Sequence, residues 1–343
     1  MKIYIPQKID PYNTHLKNLK EAYESKGIDV MTGFDHFTKG EVLPDIIHFH
    51  FIDPVLKYLK YDEDLFFRKL DYFCKNGALI IYTFHDSQPH SKITGSGYQN
   101  LYMRFLNFVS MFVHHGQSSI EIFLKKYPQF SGKKHIVCHH GDYMNDMKSF
   151  KVTKEKSREI LKLPSGKDII LIFGQLQYKN SGFAYEVFDR VKKKYPGSIL
   201  LMAGVFPVFR YNRINKIYYR INNRLLNFFR SGKIRILKRF SQYETYLLFQ
   251  SADVIFLPHN TGLTTGIIPM AATLGRPFVY PDIGVFEEQA RYCLAEKYNP
   301  GDDLGAFRAI DKLMAKNIST FENTLWLEAN NWEKHVDHIL TNL

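Results

Sequence analysis

The sequence predicts an α/β protein with two doubly wound parallel sheets in series. Short apolar runs alternate with amphipathic segments of helical spacing, which is typical of parallel strands covered by helices on both faces. The alternation stops in a polar, lysine-rich stretch from residue 139 to 167 and then begins again. A length of 343 residues also suits two domains of about 150 residues each. We therefore expect two Rossmann-like domains, joined by a linker.

Six strands and four helices are predicted before the linker. The strands lie at residues 3–5, 28–30, 46–51, 78–84, 111–113 and 135–138. The helices lie at residues 14–26, 63–75, 98–108 and 118–126. Ligands of such sheets bind beyond the carboxyl ends of the strands. This rule singles out His85 and Asp86, which directly follow an apolar strand.

His85 and Asp86 are the candidate catalytic residues of the first half. A histidine titrates near neutral pH, and an aspartate can act as general base toward an acceptor hydroxyl. The alternative is that His85 caps the end of a buried strand.

Five strands are predicted after the linker, at residues 169–173, 199–203, 234–236, 254–257 and 278–280. Two helices lie at residues 183–195 and 243–251, and a third, made of small residues, ends at Gly275. The segment from 321 to 340 is predicted as one further helix that packs through Trp326 and Trp332. The predicted domains therefore cover residues 1–150 and 151–320.

The stretch from Phe256 to Gly284 contains a candidate anion site. An apolar strand runs into a polar loop with Gly262 and Gly266, and the helix of small residues follows. The first N–H groups of a helix lack internal partners and carry partial positive charge, so they stabilise a phosphate. Three threonines of the loop add hydroxyl groups, namely Thr261, Thr264 and Thr265. The alternative is an ordinary turn between a strand and a helix.

The composition indicates a globular protein with an anionic partner. Lysine and arginine number 46 against 34 acidic residues, which gives a net charge of +12. Such an excess favours nucleotides, nucleic acids, acidic glycans or membrane surfaces without distinguishing among them. Three separated cysteines without metal-ligand spacing indicate reduced thiols. Neither a secretory signal nor an apolar window that could span a bilayer is evident, so we expect a cytoplasmic protein, soluble or peripheral at the inner face of the plasma membrane.

Four segments of the second half, in this order, carry a resemblance to a known family. They are Phe173-Gly-Gln-Leu-Gln-Tyr-Lys179, Ala252-Asp-Val-Ile-Phe-Leu-Pro258, Thr261-Gly-Leu-Thr-Thr-Gly266 and Gly275-Arg-Pro-Phe-Val-Tyr-Pro-Asp-Ile-Gly284, followed by Glu288. The set resembles the nucleotide-sugar half of the GT-B glycosyltransferases of family four and its relatives. The first half is more loosely similar, through Asn13, the strand end at Thr83-Phe-His85 and the turn at His140-Gly141.

The resemblance implies a GT-B architecture, in which two Rossmann-like domains face a cleft and the C-terminal helix, residues 321–343, crosses back to the first domain. It implies a metal-independent hexosyltransferase that moves a sugar from a nucleotide diphosphate donor to a glycan or lipid-linked acceptor, in surface polysaccharide or glycoconjugate synthesis. The implied donor-binding residues are Gln175, Lys179, Arg239, His259, Thr261, Gly262, Thr264, Thr265, Gly266 and Glu288. On the acceptor side it implies Asn13, His140 and Gly141, besides the catalytic candidates His85 and Asp86.

In such a donor site Lys179 directs an ammonium at the diphosphate, and Glu288 accepts hydrogen bonds from the ribose or the sugar. Transfer requires neutralisation of the charge that accumulates on the departing diphosphate. Considered alone, Lys179 is also compatible with a solvated turn lysine, and Glu288 with a surface carboxylate.

The sequence departs from the family within the donor site. Many members carry two glutamates separated by seven residues, and the aligned positions here are Gly262 and Met270. An arginine often found at the strand end is Gln175 here. Donor identity and stereochemical outcome therefore stay open, and phosphate binding relies on Lys179, on backbone amides and on Arg239 or Lys238.

We expect no essential metal, and no cofactor besides the nucleotide-sugar, which is a co-substrate. The acidic triplet Asp62-Glu-Asp64 precedes an amphipathic helix, where acids of the first turn stabilise the helix dipole. The pairs His114-His115 and His139-His140 are not expected to form a metal constellation, because adjacent residues on a strand point to opposite faces.

A basic insertion between Gly204 and Tyr243 contains no acidic residue. Apolar residues recur there at helical spacing, beside the basic residues Arg213, Lys216, Arg220 and Arg224. Such a helix can lie on an anionic membrane, where each basic residue near the surface contributes about 1 kcal/mol. The alternative is a helix whose apolar face packs on its own domain and whose charged face is solvated.

Other functions stay open at this point. One is a nucleotide-sugar epimerase or hydrolase of the same fold, which would act on the donor without an acceptor. Another is a non-catalytic basic binding protein or partner subunit. A nucleic-acid-binding protein is disfavoured because the basic stretch contains no recognisable recognition module, so we expect no nucleic acid partner.

Overall fold

The structure, a computed structural model, describes residues 1–10, 12, 14–40, 42–86, 96–176, 179–205, 232–318 and 320–343. The chain divides into two compact units. The first contains residues 1–141 together with 330–343, and the second contains residues 142–329. Residues 142–150 and 321–329 therefore group with the second unit, whereas the sequence placed the former in the first domain and the latter in the returning helix.

The first unit contains a six-stranded parallel sheet in the order β2-β1-β3-β4-β5-β6. Its strands are β1 Lys2–Ile5, β2 Asp29–Thr32, β3 Ile46–Phe49, β4 Leu79–Thr83, β5 Met111–His114 and β6 Lys134–Val137. All four residues of β3 and of β5 are buried, as expected for strands covered on both faces. The apolar runs of the first half are thus confirmed as strands of one sheet.

Helices α1 to α6 of this unit are His15–Ser25, Asp35–Lys39, Asp53–Tyr58, Glu63–Lys75, Ser96–Phe108 and Gln117–Lys126. Helix α4 has the predicted bounds. Its N-cap is Asp62, whose Oδ1 accepts a hydrogen bond from the Leu65 N–H at 2.8 Å, and Glu63 and Asp64 lie in the first turn. The acidic triplet therefore serves the helix start, as the sequence indicated.

The second unit contains another six-stranded parallel sheet, in the order β12-β11-β10-β7-β8-β9. Its strands are β7 Ile169–Gln175, β8 Ile199–Val205, β9 Lys233–Leu237, β10 Val254–Phe256, β11 Phe278–Pro281 and β12 Ala295–Tyr298. Alternate residues of β7 enter two apolar layers, Ile169 and Leu171 on one face and Ile170 and Ile172 on the other. The doubly wound arrangement predicted for both halves is confirmed.

Helices α7 to α14 of the second unit are Met144–Met147, Lys154–Ile160, Ser181–Lys194, Gln242–Ser251, Ile267–Thr273, Phe286–Gln289, Asp303–Ala315 and Thr324–Ala329. Helix α8 lies in the segment that the sequence treated as a linker. Thr153 caps it by accepting a hydrogen bond from the Lys156 N–H at 3.2 Å. The sequence did not reveal this short helix because its composition is mostly polar. Polar and ionic contacts hold it to the sheet, in addition to apolar packing.

Those contacts converge on Asp253, next to the start of β10. Arg158 of α8 donates to Asp253 Oδ2 at 2.6 Å and to the Ser251 carbonyl at 2.9 Å. The backbone N–H of Ile169 also donates to Asp253 Oδ2, at 2.6 Å, and Lys154 pairs with the other carboxylate oxygen. A single, mostly buried carboxylate therefore joins α8 to the beginnings of β7 and β10.

The last helix, α15, covers Trp332–Thr341 and belongs to the first unit. The prediction of one helix from 321 to 340 was wrong, because α14 ends at Ala329 and Asn331 starts a new helix by accepting a hydrogen bond from the Lys334 N–H at 2.8 Å. Trp326 donates to the Gln289 carbonyl in the second unit, at 2.8 Å. Trp332 packs in the core of the first unit. The chain thus returns to the first unit, as the resemblance implied, but only with α15.

No described helix is long and apolar enough to cross a membrane.

Candidate functional site

Lys179 and His259 meet at the carboxyl edge of the sheet in the second unit. Strands β7 and β10 are neighbours, and Lys179 follows one while His259 follows the other. The two residues form an isolated antiparallel bridge, and the Asn180 N–H donates to the Pro258 carbonyl at 3.0 Å. Lys179 Nζ donates to His259 Nε2. The backbone therefore ties together two loops that are 80 residues apart in sequence.

The Lys179 side chain is a buried amine, only 7% exposed. Burial lowers its pKa to about 7. Burial, and next the charge of Lys179, lower the pKa of His259 to about 2, so His259 is neutral and its Nε2 accepts the hydrogen bond from Lys179. Within the described part of the chain no carboxylate pairs with Lys179. Burial of a cation without a counter-ion is costly, so an anion bound beside Lys179 would stabilise its charged form.

The loop after His259 is positioned by the turn that precedes helix α12. Gly284 has φ of 53°, and a Cβ there would lie 2.3 Å from the Leu263 carbonyl oxygen. The Val285 N–H donates to the same carbonyl at 2.9 Å. This approach places the Phe286 ring against Gly262, and puts the short helix that carries Glu288 beside the loop. Gly262 and Thr261 are exposed, and Thr264 and Glu288 are partly exposed.

At the start of helix α11, the protein's own groups contact Thr265 and Gly266, two of the residues predicted to face an anion. The Ile267 N–H donates to Thr265 Oγ1 at 3.2 Å, and the Thr265 N–H donates to Gln289 Oε1 at 3.3 Å. A Cβ at Gly266 would lie 3.1 Å from the Tyr143 hydroxyl. Thr265 therefore helps to hold the loop in place, and the absence of a side chain at Gly266 leaves room for Tyr143.

The other donor candidates differ in position. Gln175 is the exposed last residue of β7, the strand that leads to Lys179. Arg239 follows β9, which is two strands away from β7, a separation of about 10 Å. The structure thus groups Gln175 with Lys179 and places Arg239 toward the edge of the sheet.

Histidines gather at the carboxyl edge of the sheet in the first unit. His50, His85, His115 and His140 follow the neighbouring strands β3, β4, β5 and β6, and His15 begins helix α1. The ring centroids of His85 lie 5.0 Å from those of His50, 4.9 Å from His115 and 5.1 Å from His15. All five side chains are buried. We call these five residues the histidine cluster.

Hydrogen bonds fix the protons in this cluster. His115 Nδ1 donates to the Cys138 carbonyl at 2.9 Å, and His140 Nδ1 donates to the Gly141 carbonyl at 2.7 Å. Burial lowers the pKa of His115 to about 4 and that of His140 to about 3, so both rings are neutral at pH 7. A neutral ring that donates through Nδ1 has an acceptor at Nε2. His140 Nε2 therefore accepts from His15 Nδ1, at 3.1 Å.

The candidate site residues of the first unit differ in their burial and contacts. His85 is 8% exposed, shares a hydrogen bond of 2.7 Å with His50 Nδ1 and stacks on Phe51. Asp86, the next residue, is partly exposed. Gly141 was predicted to supply a turn toward the donor, but what requires glycine there is Trp332, whose indole would lie 2.3 Å from a Cβ. Asn13 lies outside the described residues, as do Arg213, Lys216, Arg220 and Arg224.

Sequence reasoning missed the histidine cluster. The argument about adjacent pairs holds for the pair at β5, since His114 bonds to Ser119 and His135 while His115 enters the cluster. It did not consider histidines from different elements, and His15, His85 and His115 offer ring nitrogens within 4.8 Å of one another. The sequence did contain a signal for the cluster, since a histidine directly follows each of three predicted strands. Neighbouring parallel strands end at the same edge of a sheet, so such histidines lie near one another.

The two parallel sheets in this order, with helices on both faces and a last helix returning to the first unit, define the GT-B fold. No protein-family model matches the chain, and no curated protein sequence matches it significantly. Among solved structures the chain is similar to sucrose-phosphate synthase from Thermosynechococcus elongatus, with 12% identity, a TM-score of 0.66, and coverage of 99% of this chain and 94% of that one.

It is also similar to HepE from Anabaena, solved in complex with UDP and glucose, with 14% identity, a TM-score of 0.67, and coverage of 100% and 99%. The trehalose-phosphate synthase (UDP-forming) from Burkholderia xenovorans, in complex with glucose-6-phosphate, gives 11% identity, a TM-score of 0.69, and coverage of 100% and 99%. At these identities the similarity establishes the fold, and the activity has to be argued from the site.

Proposed function

We propose that the chain is a glycosyltransferase that moves a hexose from a nucleoside diphosphate donor to a glycan or lipid-linked acceptor, in surface polysaccharide or glycoconjugate synthesis. The observation that carries this proposal is Lys179, a buried amine without a carboxylate partner among the described residues, at the strand edge where α/β folds bind ligands. Similar folds that bind UDP, UDP-glucose or glucose-6-phosphate support it.

In this proposal the second unit binds the donor. Negative charge grows on the diphosphate as the bond to the sugar breaks, and Lys179 neutralises it. The interaction is strong because the amine is buried, where the effective dielectric constant is lower than in water. Exposed Thr261 and Gln175 offer hydrogen bonds at the same edge, and Glu288 receives the ribose or sugar hydroxyls. With Lys179 as the cation, transfer needs no metal ion at the diphosphate.

The first unit supplies the acceptor side. In this proposal Asp86, which is partly exposed and follows β4, accepts a proton from an acceptor hydroxyl. The hydrogen bond shared with His50 and the stacking on Phe51 fix the ring of His85 just before it. Attachment to the inner face of the plasma membrane stays a prediction, because the basic residues that would provide it lie outside the described part of the chain.

A thermal-shift screen of nucleoside diphosphates and their sugars tests this function. We expect the nucleoside diphosphates of one particular base to raise the Tm of the untagged chain. A ligand at 100 times its Kd adds about 2.7 kcal/mol to the stability of the folded state. The matching nucleoside alone, which lacks the diphosphate, should have little effect. Absence of any shift would contradict the proposal. Once the donor is known, its consumption without an acceptor would indicate a hydrolase or epimerase instead.

The affinity for a nucleoside diphosphate is expected to fall as the pH rises above about 7. The pKa of Lys179 is lowered to about 7, so its ammonium is lost above that pH in the free protein, whereas a bound diphosphate raises this pKa. Binding at pH 8 should therefore take up about one proton, with affinity falling up to tenfold per pH unit. Calorimetry in two buffers of different ionisation enthalpy measures this uptake, and a Lys179→Met variant should lack it.

A further inference from the structure

The histidine cluster contains buried histidines that have no role in the proposed sugar transfer. His15, His85 and His115 each offer a ring nitrogen, and these three atoms lie within 4.8 Å of one another. Around Zn²⁺, nitrogen ligands at about 2.0–2.1 Å stand roughly 3.4 Å apart in a tetrahedral site. Binding an ion would draw the three nitrogen atoms closer together. The three side chains are at most 8% exposed.

We propose that His15, His85 and His115 bind a divalent transition metal ion of the Zn²⁺ type at the carboxyl edge of the sheet in the first unit. This inference goes beyond the glycosyltransferase proposal and does not depend on it.

The hydrogen bonds of these histidines have the pattern of a metal site. A ligating histidine usually engages its other ring nitrogen with a carbonyl or another polar group, which fixes the tautomer and the ring. His115 Nδ1 donates to the Cys138 carbonyl, which leaves Nε2 as the electron-pair donor. His15 uses Nδ1 toward His140, and His85 uses Nε2 toward His50. Each of the three ligands thus has a partner that orients it.

One ring nitrogen gives an independent indication. His115 Nε2 is buried and has no hydrogen-bond partner within the described part of the chain. Leaving a buried polar atom unsatisfied costs about 1–3 kcal/mol, and such exceptions call for an explanation. A metal ion bound to this atom would remove the cost. His50 Nε2, also buried and also without such a partner in the described residues, lies in the same cluster.

The ligand chemistry selects the kind of ion. Three imidazoles suit Zn²⁺, Ni²⁺, Cu²⁺ or Fe²⁺, whereas Mg²⁺ and Ca²⁺ prefer oxygen ligands. Three protein ligands also leave a fourth position of the tetrahedron for water or another ligand. The proposed ion therefore differs in chemistry from the Mg²⁺ that would neutralise a diphosphate. Its ligands come from the start of α1 and the ends of β4 and β5, so binding would join these three elements.

Direct metal binding by the untagged chain of 343 residues tests the proposal. The protein is freed of metal with a chelator, desalted, and titrated with Zn²⁺ against a chromophoric competitor. We expect one equivalent to bind and the Tm to rise, because the ion binds the folded state. Mg²⁺ at the same concentrations should not bind. Failure of the metal-free chain to bind one equivalent of Zn²⁺ would overturn the proposal.

Two variants assign the ligands. His115→Gln is expected to weaken Zn²⁺ binding by at least about 100-fold, which is the upper range for loss of an outer-shell partner alone. His338→Gln is the matched control, since His338 is exposed on α15 in the same unit. Equal binding by His115→Gln and the wild type would place the metal elsewhere and overturn the assignment.

X-ray absorption of the Zn²⁺-loaded wild-type chain needs no variant, and so decides the case in which His115→Gln fails to fold. Three imidazole nitrogens at about 2.0–2.1 Å are expected in the first coordination sphere. A sphere of oxygen atoms, or one with a single imidazole, would overturn the proposal.

Discussion

Replacing Lys179 by methionine is expected to weaken nucleoside diphosphate binding by about 10- to 150-fold while the fold is retained. A hydrogen bond to a charged group contributes about 1.5–3 kcal/mol, and this amine is buried where its charge is least screened. Methionine keeps the length and the apolar stem of lysine. It also removes a buried amine whose pKa burial lowers, so the folded state should lose little stability.

Calorimetry near pH 7 measures this loss with the nucleotide that the thermal-shift screen identifies. Lys193→Met is the matched control, because Lys193 is exposed on the same helix that follows Lys179 and its replacement also removes a basic side chain. We expect the control to change affinity less than about twofold, since a distant exposed charge is screened by salt. Equal losses in both variants would mean that Lys179 acts only through net charge, and would remove it from the site.

Replacing Asp253 by alanine is expected to lower the free energy of unfolding of the second unit by about 3–5 kcal/mol. The Arg158 side chain is 9% exposed and would lose the carboxylate that it contacts at 2.6 Å. The Ile169 N–H at the start of β7 would lose its acceptor as well. Removing one partner of such a pair is costly because the other charge stays buried without compensation.

The measurement can be confined to one unit. The chain has two tryptophans, Trp326 in the second unit and Trp332 in the first. In a Trp332→Phe background, the fluorescence of Trp326 follows denaturant unfolding of the second unit. Asp189→Ala is the control, since Asp189 is 60% exposed in its pair with Lys233 and such pairs contribute less than about 1 kcal/mol. A loss at Asp253 no larger than at Asp189 would show that the network does not anchor α8.

The sequence alone predicted eleven of the twelve described strands, and it missed β12 and the long helix α13. Helix α4 has the predicted bounds, and the strand that leads to Lys179 begins at the predicted Ile169. This success has a local cause, because the apolar period and the capping residue of an element lie within the element itself. The short helix α8 was missed because its stabilising contact is not local: Asp253 lies 95 residues beyond Arg158.

The sequence named candidate residues at single strand ends. It did not predict which residues from several strand ends contact one another. Lys179 and His259 were both named from the resemblance, but their contact joins positions 80 residues apart. The cluster brings His15 against His140, 125 residues away, which no local pattern contains. Thr265 was expected to face a ligand, and Gln289, 24 residues later, holds it instead.

The sequence by itself determined that this protein has two doubly wound parallel sheets, and that its polar strand ends would lie at the carboxyl edge of each sheet. Only the tertiary structure decided which of those side chains turn inward to one another and which stay available to a ligand. The physical reason is that burial and hydrogen-bond partners depend on distant segments brought together in space. The neutral histidines, the amine of Lys179 and the loop threonine owe their chemistry to such neighbours.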